Sequence, residues 1–266
     1  MTGRLQGKVA IITGAGCVGP GWGNGRATAV RFAQEGATVW AVDIDMSSMD
    51  ETLERAGDAR AAITPYRCDV TDSGAIAQLV ADCMARDGRI DILVNNVGTP
   101  VPGGPVAMSE AAWQRQLDIN LSTVFLMCKP VIPIMQAQGG GAIVNVASTS
   151  GQRFTGAVQV GYAAAKAGVI QFSRVVAVEH AKDNIRINTV VPGQLHTPLV
   201  DAILAGNQTA GDVEALLKRR QSRIPLPFMG DGRDTANAAL FLASEEARFI
   251  TGTEIVVDGG MSVRCD

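Results

Sequence analysis

Seven short runs of apolar, mostly β-branched residues punctuate the chain: KVAIIT, ATVWAV, AAITPYRC, IDILVNN, GAIVNVAS, IRINTVV and TEIVVDGG. Most are near-continuous rather than alternating, the pattern of strands covered on both faces. Longer stretches with helical periodicity separate them. Spacers of about 20 residues suit right-handed crossovers, so the pattern predicts an α/β fold. The expected architecture is a doubly wound, Rossmann-type parallel sheet of about seven strands with helices on both faces. Helices are predicted to begin near Gly23, Ser47, Asp72, Ser109, Asn120, Val160 and Asp234, several with Ser, Asp or Asn in cap position.

The alternation breaks once. Residues 197–232 read as two short helices in a segment inserted after a strand end, the usual place for a substrate loop or lid. No repeat, low-complexity tract or Ser/Pro-rich linker divides the rest, so residues 1–266 read as one domain.

Composition narrows the picture. The chain of 266 residues is 47% hydrophobic but only 5% aromatic, so Leu, Ala, Val and Ile must fill the core. That excludes disorder and argues against an aromatic-rich β-sandwich. A net charge of -3 leaves no positive field for a polyphosphate backbone, and no nucleic-acid partner is expected. Cys17, Cys68, Cys83, Cys128 and Cys265 are scattered without a C-x-x-C pair, which indicates neither a disulfide framework nor a metal site. The apolar run before Thr13 is too short for a signal-peptide core. The uncharged stretch 130–152 is interrupted by Gln136, Gln138, three Gly and Asn145. A cytoplasmic protein without a membrane partner is expected.

The first strand runs directly into TGAGCVGPGWGNGR, which holds six Gly among the twelve positions from Gly14 to Gly25 and opens the first helix. Glycine lets backbone amides approach a pyrophosphate, and the helix N-terminus adds partial positive charge. Alone this is weak; at the first strand-to-helix crossover it points to a dinucleotide. Eighteen residues beyond Gly25 the second strand ends in Asp43, where a carboxylate can accept hydrogen bonds from the adenosine ribose. A 2′-phosphate would be repelled there, and no Lys or Arg lies between Arg31 and Arg55, so the cofactor reads as NAD. Asp45 is a second candidate for the same role. Asp69 and Val70 close the third strand, where a side chain and a backbone amide can bracket an adenine edge. Asn95, Asn96 and Gly98 close the fourth. Ligands of open parallel sheets bind at this edge.

Tyr162 and Lys166 stand four apart in a predicted helix and share a face. Such a pair is common by chance, but Ser148, fourteen residues before Tyr162, closes the fifth strand and can converge with it. Removing an alcohol proton as hydride leaves its carbon needs a base near working pH, and free tyrosine titrates near 10. A lysine ammonium about 5 Å away favours phenolate by roughly 3 kcal/mol at an effective dielectric of about 20. Ser148 would donate to the substrate oxygen.

In these features the chain resembles the classical short-chain dehydrogenase/reductase (SDR) family over nearly its whole length. The motifs run in order: the glycine-rich turn, Asp69 in DV, NN-x-G at Asn95 to Gly98, Asn120 in LDINL, Ser148, Y-x-x-x-K at Tyr162 and Lys166, and Pro192-Gly193. The resemblance implies that Tyr162 is the general acid/base and Ser148 the substrate-orienting donor. It implies that Lys166 tunes Tyr162 and contacts the nicotinamide ribose, and that Asn120 holds a proton-relay water. By the same resemblance Asn96 lies beside the cofactor, Thr197 touches the nicotinamide carboxamide, and a homotetramer forms through the Asn120 and Tyr162 helices. His196 reads as pocket wall or surface, and His180 as a helix C-terminal dipole partner.

Three departures stand out. Eight residues separate Gly14 from Gly23 where the family has three, with CVGPG as the inserted segment; Val97 replaces the usual Ala of NNAG; and Ser148 to Tyr162 is one residue longer than usual. Thr149 and Ser150 are backups for Ser148. The expected reaction is hydride transfer between NAD and a small secondary alcohol or ketone. Rivals are a 3-ketoacyl-carrier reductase and a non-catalytic nucleotide-binding regulatory protein. Pocket candidates are Thr99, Pro100, Gln152, Phe154, Val158, Gln194, Leu195, Leu199 and Ile203, a largely apolar set with no obvious carboxylate-binding arginine except Arg153. That set tilts the expectation towards an uncharged substrate.

Overall fold

A computed structural model describes residues 3–265. The chain runs β1 (Val9–Thr13), α1 (Asn24–Gln34), β2 (Thr38–Asp43), α2 (Asp50–Arg55), β3 (Ile63–Arg67), α3 (Ser73–Asp87), β4 (Ile92–Asn95), α4 (Glu110–Leu117) and α5 (Thr123–Ala137). It continues with β5 (Gly141–Val146), α6 (Val160–His180), β6 (Ile185–Pro192), α7 (Ala205–Thr209), α8 (Val213–Gln221), α9 (Gly232–Ala243) and β7 (Glu254–Val257). All seven strands of the expected set form, in one sheet of order β3-β2-β1-β4-β5-β6-β7. Every strand pair is parallel. Pro65 lies in β3, an edge strand, where a missing amide leaves no ladder bond unmade.

The continuous apolar runs are explained by burial on both faces. Ile11, Leu93, Ile143 and Ile187 pack with Val124, Met127 and Val131 of α5 and Val169 of α6. Ile12, Val94, Val144 and Val190 pack on the other face with Ala29, Val30 and Phe32 of α1 and Leu240 of α9. The polar strand residues meet each other. Asn95 Nδ2 donates to Asn145 Oδ1 at 2.8 Å, and Asn145 Nδ2 donates to Ser173 Oγ at 2.8 Å, which gives both buried amide nitrogens a partner.

Several helix starts differ from the sequence pattern for identifiable reasons. Near Ser47 the chain first makes a 3-10 turn, Met46–Met49, capped by Asp45, before α2 begins. Asn120 does not start a helix: α4 and α5 are one continuous rod joined by a π turn, Asp118–Ser122, with Asn120 inside it. The last helix starts at Gly232, because Asp231 is its cap and Asp234 is the third member of a reciprocal capping box. Residues 197–232 form a π turn, Val200–Leu204, followed by α7 and α8, a small layer with its own cluster of Val200, Leu204 and Leu216.

Candidate active site

The C-terminal ends of β1 to β4 border a cleft of about 530 Å³ lined by Gly14, Gly23, Gly25, Asp43, Asp69, Val70, Asn96, Gly98 and Thr197, among others. Its floor is the β1–α1 turn. Gly14 has a left-handed φ of 64°, and a Cβ on Gly25 would stand 1.8 Å from the Gly14 carbonyl oxygen, so neither accepts a side chain. The α1 cap, Gly23, makes no side-chain cap bond and the first turn has no acid, which leaves the helix N-terminus open to an anion. Asn96 fastens the turn: its Nδ2 donates to the Gly14 oxygen at 3.1 Å, and its own amide donates to Thr13 Oγ1 at 3.1 Å.

Asp43 accepts from Gly16 N at 2.9 Å, which leaves its carboxylate at the adenosine end beside Asp45 and Ser48. Asp69 is held by the Thr71 hydroxyl and amide, which keep its carboxyl below the usual range. The residues fit a dinucleotide. A glycine cradle, an open helix N-terminus, a carboxylate at the ribose end and one orphaned buried acceptor, Asn24 Oδ1, all face one continuous space. Arg115 is the one cationic side chain among the cleft's lining residues.

The inserted segment, Cys17–Gly21, is clamped rather than loose. Arg26, 2% exposed, reaches back under it: one terminal nitrogen donates to the Gly19 oxygen at 3.1 Å, the Gly21 oxygen at 2.7 Å and Glu51 Oε2 at 2.6 Å. The other terminal nitrogen meets the Ser48 oxygen at 3.1 Å, and Glu51 Oε1 accepts from Gly21 N at 2.9 Å. Trp22 then lies beneath the guanidinium groups of Arg55, 4.6 Å from its ring centroid, and Arg233 at 5.7 Å. Pro198 touches the segment from the other side, since a Cβ on Gly21 would lie 3.4 Å from its ring.

A second cavity, about 120 Å³, opens beside the first and shares Asn24, Thr197 and Leu199 with it. Ser148, Tyr162, Pro192 and Gly193 line it. The 3-10 turn Thr149–Gly151 after β5 packs directly on α6, because a Cβ on Gly151 would lie 2.6 Å from the Ala167 amide; that close approach carries Ser148 to Tyr162. Ser148 is the hydroxyl that hydrogen-bonds Tyr162. Ser150 is occupied by Thr155 at 3.0 Å and Gln159 at 2.9 Å, and Thr149 is buried, so neither backup replaces it.

Lys166 is 3% exposed, with Nζ donating to the Val146 oxygen at 2.8 Å and lying 5.8 Å from the Tyr162 ring centroid. Burial pulls its pKa down to about 8. The same burial pushes Tyr162 up, against the pull of Ser148. Withdrawal from water is thus the largest influence on the phenol, and the Ser148 hydroxyl acts against it. Asn120 is fully buried; its Oδ1 accepts from Thr99 N at 3.0 Å, while Nδ2 donates to the Gln116 and Thr99 oxygens at 2.9 and 3.2 Å. It joins the wide turn of the helix to the loop after β4. A Cβ on Gly98 would stand 2.7 Å from Asn120 Oδ1 and 2.9 Å from Lys166 Nζ, so glycine there lets all three meet.

Comparison with known proteins follows this geometry. A family model described as enoyl-(acyl carrier protein) reductase matches residues 20–262. The 3-oxoacyl-[acyl-carrier-protein] reductase of Thermotoga maritima is 39% identical over 260 residues, covering 98% of this chain and 100% of that protein. The chain belongs to the short-chain dehydrogenase/reductase family. A crystal structure of a short-chain dehydrogenase/reductase from Burkholderia xenovorans, described there only provisionally, is 71% identical with a TM-score of 0.95, covering 99% of this chain and 100% of that one. Carveol dehydrogenase from Mycobacterium avium, solved in complex with NAD, is 34% identical with a TM-score of 0.89, covering 99% and 100%. This dehydrogenase/reductase is thus an oxidoreductase of a nicotinamide-binding family.

The structure also redraws the pocket. Pro100, Val158, Gln194, Leu195 and Leu199 line the second cavity or the one adjoining it, and Thr99 lines the first cleft. Gln152 instead donates to Glu254 at 2.6 Å, Phe154 is 75% exposed, and neither these two nor Ile203 lines the two cavities beside Tyr162. Arg153 is exposed. His196 is half-exposed beside Asp201, 3.5 Å away, and His180 pairs with Asp183 at 3.2 Å. The sequence pattern does not single out Asn24, Arg26 or Arg220. For Arg26 the available signal is a cation five residues past the inserted segment.

Proposed function

We propose that this protein interconverts a small secondary alcohol and a ketone, with NAD(H) as its redox partner. The observation that carries the reading is the convergence of Ser148, Tyr162, Lys166 and Asn120 where the substrate cavity meets a cleft with Asp43 at its adenosine end. When bound, nicotinamide would take or give the hydride at the carbinol carbon. Tyr162 takes the hydroxyl proton in oxidation and returns it in reduction, Ser148 donates to the substrate oxygen, and Lys166 stabilises the phenolate. Asn120 positions the Thr99 loop and the Lys166 surroundings. The segment 197–232 closes over the substrate, with Thr197 at the boundary of both cavities.

Asp43 favours NAD over NADP: its carboxylate lines the cleft, whereas Arg67, its register partner on β3, does not. The NAD complex of carveol dehydrogenase supports the same choice. A screen of secondary alcohols and ketones with NADH and NADPH, read at 340 nm, tests both statements; consistent NADPH preference would refute the Asp43 argument. The Thermotoga maritima relative favours a second reading, reduction of carrier-linked 3-ketoacyl groups. Turnover of acyl-carrier thioesters far above that of small ketones would establish it.

We further propose a cytoplasmic homotetramer joined through α4–α5 and α6, whose outer faces expose Trp113, Phe125, Val175 and Val178. A sizing experiment that showed only monomer would contradict it.

A further inference from the structure

One side chain of α8, Arg220, enters the lining of the substrate cavity and brings a charge into an otherwise largely apolar expected pocket. Arg220 is 94% buried by difference from its 6% exposure, and it lines the same cavity as Ser148 and Tyr162. Its terminal nitrogen reaches only the Leu195 carbonyl, at 3.5 Å, and its Nε is buried with no partner. No carboxylate lies within 4.0 Å of it among the described residues.

Arg219 lines the adjoining cavity of about 200 Å³, which shares Pro100, Gln159, Leu204 and Gln208 with the first. Its Nε is likewise buried without a partner. Gln194 adds a third unmet polar atom, Oε1, to the wall. A buried guanidinium without a counter-charge is costly, and proteins keep such groups where something else supplies the charge. Burial, together with Arg219 and Arg223, pulls Arg220 down to about 10, the opposite of what an internal acid would do.

We propose that Arg220 is the anchor for a carboxylate on the substrate, so that the alcohol or ketone handled at Tyr162 is a small hydroxy or keto acid. The proposal rests on the oxidoreductase reading of the same site. A carboxylate fits the planar fork of a guanidinium and the small volume between the two ends. Arg219 extends the positive field into the neighbouring cavity, which suits acids of more than one length.

The test compares 3-oxobutanoate, 4-oxopentanoate and 5-oxohexanoate with their methyl esters in steady-state reduction by NADH. The expected result is that at least one acid exceeds its ester in kcat/KM, mainly through KM. Arg220→Gln should lower that acid-to-ester ratio by about 30-fold or more, the scale for losing one partner of a buried charge pair. Arg220→Lys should retain part of the ratio. Esters equal to or better than their acids in the wild-type protein would overturn the proposal, and that comparison decides even if Arg220→Gln does not fold. Equal loss for acid and ester in a folded Arg220→Gln would overturn it as well.

Calorimetric titration of the same acids into NADH-loaded protein separates the two readings. Arg220-dependent binding with no ketone turned over would remove the proposed reaction and leave the anion site standing. Turnover of esters without preferential binding of any acid would do the reverse.

Discussion

On the cofactor side, Asp43 and Asn96 stand at or just beyond the ends of β2 and β4, backed by a sheet buried on both faces, and the cleft wall carries Asp43, Asp45 and Asp69 against one cation, Arg115. On the substrate side the wall is borrowed from residues 197–232, whose own core is Val200, Leu204 and Leu216, and its lining charges are Arg219 and Arg220 with no acid. In the proposed function, one side recognises its ligand with strand ends fixed by the sheet register. The other does so with a thin layer laid over it, and the sign of the charge reverses across a few residues at Asn24 and Thr197. Strand ends fix where chemistry happens; the overlying layer can change what enters without disturbing them.

The largest effect should come where the two sides meet. Tyr162→Phe removes the proton carrier while keeping the ring that packs against Lys166, so turnover should fall by about 10³-fold or more while NADH binding persists. Fluorescence titration with NADH beside single-turnover rates checks both halves. Activity equal to wild type would break the assignment of chemistry to the shared boundary.

Next in size is the cofactor floor. Arg26→Ala removes the donor shared by Glu51 and the carbonyls of Gly19 and Gly21, while Arg55 still pairs with Glu51 at 2.6 Å, so the loss should fall below the about 3–5 kcal/mol of a fully buried pair. Thermal unfolding should show a marked fall in Tm, and KM for NADH should rise while KM for the ketone changes less. Equal rises in both would mean that the inserted segment serves the substrate side through Pro198.

The two sides were not equally legible. The strands, their order along the chain, the glycine turn and the Ser148, Tyr162 and Lys166 set lie in local patterns: apolar runs, fixed spacing, strand-end position. Arg220 sits in KRRQSR, which reads as a solvated charge run on a short helix, and only the folding of α8 onto Leu195 buries it. Arg26 was hidden for a related reason: three of its five partners are backbone carbonyls, which have no sequence identity. Asn120 looked like a helix start because Asn commonly caps, yet its amide bonds instead to Thr99 and Gln116 across a π turn.

Lys166 offers a pH test that involves no ligand. Its pKa of about 8 in the folded chain lies below the ordinary 10.5, so between these values this group binds more protons in the unfolded chain and its own contribution to stability rises with pH. That contribution, roughly 3 kcal/mol across the window, is read as the difference between wild type and Lys166→Met, because Cys68, Cys83 and Cys128, pushed up to about 11 to 12, lose stability there in both proteins. At pH 7 the variant is expected to melt higher than wild type while losing most turnover, the mark of a charge kept for chemistry at a cost in stability. Chemical denaturation at pH 7 and pH 10 measures the difference; parallel curves for the two proteins would show that Lys166 is not a strained cation.

The smallest predicted effect tests the acidic side alone. Asp43 Oδ2 accepts from Gly16 N at 2.9 Å, and Oδ1 accepts from Asp45 N at 3.1 Å. Asp43→Asn keeps an oxygen for Gly16 and the shape of the strand end, and it removes the charge that would face a 2′-phosphate. The ratio of kcat/KM for NADPH over NADH should rise by about 10- to 100-fold, equivalent to about 1.4–2.8 kcal/mol, chiefly through a lower KM for NADPH. The acid-to-ester preference set on the substrate side should stay where it was, because Asp43 lines only the cofactor cleft. A shift in both preferences together would show that the two walls are coupled through the boundary at Asn24 and Thr197, rather than reading their ligands separately.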